Sequence, residues 1–136
     1  MTLILVVDDE ALYQHLLKVN LEKEGYEVMT AGNGEDALEI ISGRQPDLAI
    51  LDISMPKLNG IDVIRRLSKE LEHSRILVLT MHAEEEYVLH VVRAGASGFL
   101  LKDSASAELI DAVRSLANGR GYFGAHASRV MAQQVK

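Results

Sequence analysis

Short apolar runs, each followed by a helix-like pattern, constrain the fold of this chain more than any other feature. Four runs are almost entirely apolar, at residues 3–7, 48–51, 76–79 and 99–101, and residues 26–31 alternate between apolar and polar. A short apolar run bounded by turn residues is typical of a strand buried on both faces. Strand and helix alternate five times, which predicts parallel strands with helices on both faces of the sheet.

The predicted helices carry apolar residues three or four positions apart. In the first helix, which we expect to end at Gly25, these residues are Leu12, Leu16 and Val19, with Leu17 and Leu21 alongside. Further helices are predicted after Asn33-Gly34, after Gly60, from about Glu84 to Ala94, and before Asn118-Gly119. Residues 26–31 are the expected edge strand.

Composition excludes several classes of protein. The chain has 136 residues, which suits one domain, and no cysteine, which excludes disulfides and thiolate metal sites. Its net charge of −6 argues against direct contact with nucleic acid. No apolar run approaches the roughly 20 residues needed to span a bilayer, and no signal peptide precedes the first run. We therefore expect a cytoplasmic protein.

Polar residues with complementary chemistry end the four buried strands. They are the pair Asp8-Asp9, then Asp52, Thr80 and Lys102. Each has an ordinary explanation: an acid can turn the chain or cap a helix, and Thr80 and Lys102 are common at strand ends. However, the carboxyl ends of parallel strands meet at one edge of the sheet, where open α/β sheets bind ligands. The combination predicts a functional site there.

Charge predicts the chemistry of that site. Three neighbouring carboxylates raise one another's pKa and are tolerable together if a divalent cation joins them, and oxygen ligands suit Mg²⁺. The cation and Lys102 would flank a pocket for a phosphoryl group, to which Thr80 can donate a hydrogen bond. An aspartate that attacks phosphorus forms an aspartyl phosphate. We expect Asp52 to be that nucleophile.

The sequence over roughly residues 3 to 119 resembles the receiver domain of two-component response regulators. The resemblance rests on Asp8-Asp9, Asp52 followed by Met55-Pro56 and Gly60, then Thr80 and Lys102. It implies a flavodoxin-like (CheY-like) α/β fold, with a five-stranded parallel sheet in the order 2-1-3-4-5 and helices on both faces. It also implies a phosphorylation-dependent signalling switch, with no enzymatic activity beyond self-phosphorylation from a phosphodonor and self-dephosphorylation.

The same resemblance implies a metal site and a phosphodonor. Asp52 would accept a phosphoryl group from a sensor histidine kinase. Asp9 and Asp52 would bind Mg²⁺, Asp8 would help through a water molecule, and Ser54 would offer its backbone carbonyl. Asp52, Lys102 and Thr80 would thus form the reactive centre.

The resemblance further implies how the switch works. Lys102 and Thr80 would bind the phosphoryl oxygens, and the ring of Phe99 would turn inward when Thr80 moves. The surface of the fourth helix, fifth strand and fifth helix would then control dimerisation or an output domain. We also expect the bulky Met81 to hinder attacking water and so prolong the life of the phosphoryl group.

A narrower resemblance links the chain to regulators of the NarL/LuxR/FixJ type. It rests on the stretches at residues 80–82, 95–103 and 116–119, before Tyr122-Phe123. We expect residues 1–121 to be the phosphoacceptor receiver domain. Residues 122–136 would be a C-terminal tail or the start of a linker helix to a DNA-binding domain absent from these residues. Transcription regulation and DNA binding would then belong to a longer parent protein.

Two alternatives to the switch stay open from the sequence. One is a hydrolase with an aspartyl-phosphate intermediate, but such enzymes commonly need a second acid two residues after the nucleophile. That position holds Ser54. The other is a receiver-like binding module that is not phosphorylated, against which the complete set of site residues argues.

Overall fold

A computed structural model describes residues 2–53, 58–71, 74–81 and 84–133 of the chain. Strands and helices alternate throughout these ranges. Their bounds are β1 (Leu3–Val7), α1 (Ala11–Lys23), β2 (Glu27–Ala31), α2 (Gly34–Gly43), β3 (Leu48–Ile53), α3 (Leu58–Glu70), β4 (Arg75–Thr80), α4 (Glu85–Arg93), β5 (Gly98–Leu101), α5 (Lys102–Ala117), β6 (Tyr122–Phe123) and α6 (Ala125–Gln133).

The strands form one parallel sheet in the order β2-β1-β3-β4-β5-β6. The α/β class and the order of the first five strands are as predicted, but the expectation of five strands is wrong. The sixth strand, β6, pairs with β5 through Tyr122 opposite Gly98 and Phe123 opposite Phe99. A strand of two residues is too short to show the periodicity from which strands are predicted.

A glycine lets β6 approach β5 closely. A Cβ atom at Gly98 would lie 2.8 Å from the Tyr122 carbonyl oxygen, well inside ordinary van der Waals contact. Gly95, three residues earlier, has a φ of 118°, a conformation that favours glycine. Gly95 therefore turns the chain out of α4, and Gly98 makes room for the added strand.

Alternate residues of each strand enter two separate cores, as expected for a sheet covered on both faces. Ile4 and Val6 of β1 belong to the core that also contains residues of α1 and α5. Leu5 and Val7 point to the other core, to which α2, α3, α4 and α6 contribute. Neither face of the sheet is left open by the described residues.

The buried row of α1 differs from the one that the sequence suggested. Leu17 and Leu21 are 4% and 0% exposed, whereas Leu12 and Leu16 are 68% and 49% exposed. Because residues four apart share a face of a helix, the sequence offered two overlapping apolar rows and only packing could select between them. The exposed row faces away from the sheet.

Residues 122–133 pack on the sheet and on α4. The residues of α6 that face the core are Ala127 and Val130, which are 1% and 2% exposed. These positions lie in the segment predicted to be a tail or the start of a linker helix. The domain boundary after residue 121 remains a prediction. Within the described ranges, no helix is long and apolar enough to cross a bilayer.

Candidate functional site

Two predicted acids meet at the carboxyl edge of the sheet. The last residue of β1, Val7, pairs with Leu51 of β3, so the residues that follow them, Asp8 and Asp52, are neighbours. Both acids are buried, with 3% and 9% of their surface exposed. Burial of two carboxylates side by side is costly unless positive charge compensates for them.

Lys102 supplies part of that charge. It is the first residue of α5, directly after β5 ends, and its Nζ lies 2.9 Å from Asp52 Oδ2. The ammonium also lies over the ring of Tyr13, 4.2 Å from the centroid, in a cation–π contact. Lys102 is thus held between a carboxylate and an aromatic face.

The surroundings of Asp52 raise the pKa of its carboxyl group, so it binds a proton more readily than an exposed aspartate does. Burial raises the pKa of Asp52 to about 7, an effect that the hydrogen bond from Lys102 opposes and the charge of Asp8 reinforces. Burial also raises the pKa of Asp8. For Lys102, burial alone would lower the pKa, but the pairing with Asp52 outweighs it and the pKa is raised. The site therefore carries a surplus of negative charge when its acids are ionised.

Two buried carboxylate oxygens suit a cation. Among the described residues, Asp8 Oδ2 and Asp52 Oδ1 have no hydrogen-bond partner. The other oxygen of Asp8 accepts a hydrogen bond from the backbone N–H of Glu10 at 3.0 Å. Carboxylate oxygens of this kind are ligands that Mg²⁺ accepts, together with water molecules that fill its remaining positions. Asp8 and Asp52 thus fit a divalent cation.

The rest of the predicted metal set is less well assembled. Asp9 follows Asp8 but is exposed, and Ser54, with the adjoining Met55-Pro56, lies outside the described residues. Within the described ranges, no three histidine or acidic side chains are grouped as a metal site. The metal-binding roles of Asp9 and Ser54 therefore stay predictions.

The two predicted switch residues are buried on neighbouring strands. Thr80 ends β4 and is 0% exposed, and Phe99 in β5 is 1% exposed, with its ring in the core on the α4 side. Strand register places Thr80 opposite Ile53, the residue after Asp52. Thr80 thus stands near Asp52 in the sheet, and Phe99 lies opposite Val78, two residues before Thr80. Their roles as switch residues stay predictions.

Two tyrosines at the site were missed from the sequence. Tyr13 in α1 contacts Lys102, and Tyr87 in α4 is 6% exposed, in the core on the α4 side of the sheet, where burial raises the pKa of its phenol to about 12. In this fold, a helix that follows a strand begins at the edge of the sheet where the site lies. An aromatic residue in the first turn of such a helix was therefore the signal that could have identified these tyrosines from the sequence. For α4 that signal was hidden, because five of the six residues 87–92 are apolar and the sequence does not show which of them face the core.

Known proteins share both the sequence and the fold. Residues 4–114 match the family described as the response regulator receiver domain. The chain is 40% identical over 121 residues to the transcriptional regulatory protein DegU of Brevibacillus brevis, covering 88% of this chain and 51% of that protein. This chain therefore spans about half the length of that curated relative. Relatives of this kind are transcriptional regulators, which are not classical enzymes, so the hydrolase alternative gains no support.

Two solved structures resemble this one. A LuxR-family two-component response regulator from Aurantimonas sp. SI85-9A1 has a TM-score of 0.87 and 28% identity, with 98% of each chain covered. The response regulator TrrA of Thermotoga maritima, in complex with Mg²⁺ and BeF, has a TM-score of 0.74 and 39% identity, with 85% of this chain and 99% of that one covered. The family match, these two structures and the buried acid–lysine centre together show the family of this chain. It belongs to the receiver domains of two-component response regulators of the LuxR/NarL type, which are phosphorylation-dependent signalling switches.

Proposed function

We propose that Asp52 is the residue that accepts the phosphoryl group. The observation that carries the proposal is the state of its carboxylate: it is buried, its Oδ2 is paired with Lys102 at 2.9 Å, and its Oδ1 has no partner among the described residues. An acid that only turned the chain would direct its oxygens to backbone N–H groups or to water. Asp52 does neither within the described part of the chain.

The chemistry follows from this arrangement. A carboxylate oxygen of Asp52 attacks phosphorus, the new O–P bond forms, and the bond from phosphorus to the leaving group breaks. The leaving group, an imidazole nitrogen of a phosphohistidine or the carboxylate oxygen of acetyl phosphate, keeps the electron pair. Lys102 offsets the charge on the phosphoryl oxygens, and Thr80 can donate a hydrogen bond to one of them. Because the pKa of Asp52 is about 7, a large share of the acid is ionised at neutral pH.

A magnesium ion completes the proposal. The related TrrA was solved with Mg²⁺ and BeF, and the buried oxygens of Asp8 and Asp52 suit the same ion here. The bound ion would neutralise charge on the acids and on the phosphoryl group. Asp9 and the Ser54 carbonyl are the further ligands that we propose.

Partners are proposed from the relatives. A sensor histidine kinase is the expected phosphodonor, and a DNA-binding domain in a longer parent protein is the expected output. The surface formed by α4, β5 and α5 would change on phosphorylation and control that output or a homodimer. A cytoplasmic location also stays a proposal.

The test is an intact-mass measurement after incubation with acetyl phosphate and Mg²⁺. We expect the wild-type protein to gain one phosphoryl group and Asp52→Asn to gain none. Asp62→Asn, which alters an exposed acid of α3, should behave as the wild type. A phosphoryl gain in Asp52→Asn equal to that of the wild type would overturn the assignment, and no gain in the wild type would overturn the proposed function.

A further inference from the structure

Gln14 is a half-buried polar residue that the phosphoryl chemistry does not use. It lies near the start of α1, and its Nε2 atom donates two hydrogen bonds, to the carbonyl oxygens of Ala31 at 3.0 Å and Asp8 at 3.2 Å. The side-chain amide of a glutamine has two protons to donate, so both are used. Because Ala31 ends β2 and Asp8 follows β1, the amide of Gln14 joins two neighbouring strand ends.

The contacts of Gln14 form a closed ring with Asp8 and Ala31. The backbone N–H of Asp8 donates to the Ala31 carbonyl at 3.0 Å, and the same oxygen accepts from Gln14. A carbonyl oxygen has two lone pairs, so Ala31 can accept both hydrogen bonds. Asp8 Oδ1 in turn accepts from the backbone N–H of Glu10. The main chain of Asp8 is therefore held at its N–H and at its C=O, and its side chain is held at one oxygen.

The ring also holds the peptide group that joins the two proposed metal ligands. The carbonyl that accepts from Gln14 belongs to the peptide group between Asp8 and Asp9, which is planar. A hydrogen bond to that oxygen restricts rotation of the whole plane, and hence the direction in which the chain enters Asp9. Gln14 and both acids line one cavity of about 500 Å³, so the amide borders the same space as the two acids.

We propose that Gln14 is a positioning residue for the cation site: its amide holds the Asp8–Asp9 peptide group so that the two carboxylates can bind one Mg²⁺ ion. This inference rests on the proposed function, in which both acids are ligands of that ion. Gln14 acts through the acids and is not itself a ligand. Ligands that are already oriented lose less conformational freedom when they bind, and residues that orient metal ligands typically contribute about 10- to 100-fold to affinity.

The test is a Mg²⁺ titration of Gln14→Met and the wild type without a phosphodonor, followed by backbone amide NMR shifts. Methionine keeps the length of the side chain and has no N–H to donate. We expect Gln14→Met to bind Mg²⁺ about tenfold more weakly than the wild type. Gln14→Asn keeps an amide but shortens the side chain by a methylene group. It is therefore too short to reach both carbonyls and should also bind Mg²⁺ more weakly.

Gln45→Met is the matched control. The Nε2 atom of Gln45 also donates to two carbonyl oxygens, those of Ile41 at 3.1 Å and Glu70 at 3.3 Å. Gln45 lies between α2 and the start of β3, at the opposite edge of the sheet from the acids, so Gln45→Met should bind Mg²⁺ as the wild type does. Because Gln14→Met and Gln45→Met each lose two hydrogen bonds to carbonyls, urea unfolding in EDTA should show similar losses of stability. A difference in Mg²⁺ affinity between them then reports on positioning.

A second measurement separates positioning from damage to the reactive centre. Because Gln14 orients metal ligands, saturating Mg²⁺ should restore the rate at which acetyl phosphate phosphorylates Gln14→Met to nearly the wild-type rate. The inference would be overturned by a Mg²⁺ affinity of Gln14→Met equal to that of the wild type, by an equal loss of affinity in Gln45→Met, or by a rate that stays low at saturating Mg²⁺. Failure of the wild type to bind Mg²⁺ would instead count against the proposed function.

Discussion

Tyr13 and Lys102 form a cation–π pair, with Nζ 4.2 Å from the ring centroid. Because the same ammonium lies 2.9 Å from Asp52 Oδ2, the ring restricts where the lysine can sit. A contact of this kind is worth about 0.5 to 2 kcal/mol, depending on exposure. We expect Tyr13→Leu to lower the rate of phosphorylation by acetyl phosphate about two- to tenfold, as measured by the time course of intact mass.

The control for this prediction keeps the ring. Tyr13→Phe retains an aromatic face for the ammonium and should phosphorylate at nearly the wild-type rate. If the leucine and phenylalanine variants were slowed equally, the phenol hydroxyl and not the ring would be the important group.

Asp52 makes the stability of the protein depend on pH. Its pKa of about 7 lies above its ordinary value of 3.8. Between these two values the folded protein binds a proton that the unfolded chain does not, so the free energy of unfolding falls as pH rises through that window. Asp52→Asn has no such titration, and at about pH 8 without divalent cations we expect it to be more stable than the wild type by about 1 to 3 kcal/mol.

Urea unfolding in EDTA at several pH values checks this prediction. The advantage of Asp52→Asn should shrink toward about pH 4, where the carboxyl of the folded wild type is protonated. Asp62→Asn, on the surface of α3, should show no comparable advantage. An Asp52→Asn protein less stable than the wild type at the higher pH would contradict a raised pKa for Asp52 in the folded state.

Val130 holds α6 on the domain. It is 2% exposed and lies in the same core as residues of α4. A carboxylate at this position would be buried without a partner, which is costly, so we expect Val130→Asp to detach α6. Backbone amides of α6 should then exchange with solvent at least about tenfold faster, as measured by hydrogen–deuterium exchange. Arg129→Asp puts the same residue at the adjacent exposed position and should leave the exchange of α6 largely unchanged.

Met81 is the residue after Thr80, which ends β4 at the edge of the sheet where the proposed phosphoryl site lies. Its side chain is 66% exposed and follows the buried Thr80. If the side chain obstructs water, Met81→Ala should shorten the half-life of the phosphorylated protein, and Met81→Leu, which keeps the bulk, should not. The decay of the phosphorylated mass after removal of acetyl phosphate measures both. An unchanged half-life in Met81→Ala would show that another feature limits hydrolysis.

The sequence predicted the elements whose patterns are long and unambiguous. The apolar runs of β1, β3 and β4 are typical of buried strands, and the residues that end them reach one edge because parallel strands share a direction. From that argument alone Asp8, Asp52 and Lys102 were expected to meet, and the structure brings them together. Their roles in phosphoryl transfer stay predictions.

Other features depend on contacts that no local pattern encodes. The strand β6 has two residues and exists because Gly98 leaves room beside β5. In α1, packing against the sheet decides that the row containing Leu17 is buried and the row containing Leu12 is exposed. The pattern of the helix alone does not decide this. The pairing of Tyr13 with Lys102 joins residues on different elements, α1 and α5, and it becomes visible only when the two helices are placed side by side.

The added strand changes what the sheet offers to other chains. Without β6, the backbone of β5 would present unpaired N–H and C=O groups, onto which a strand of another molecule can add. The N–H of Gly124 instead donates to the Phe99 carbonyl at 3.1 Å, and the N–H of Tyr122 donates to the Ser97 carbonyl at 3.1 Å. At the opposite margin, the partly exposed Glu27 of β2 forms an ion pair with Arg44 at 2.8 Å, and charge of this kind discourages strand addition. The strand β6 is now the outermost strand at that margin and has only two residues, so a short edge on one side and charge on the other disfavour the addition of a strand from another molecule.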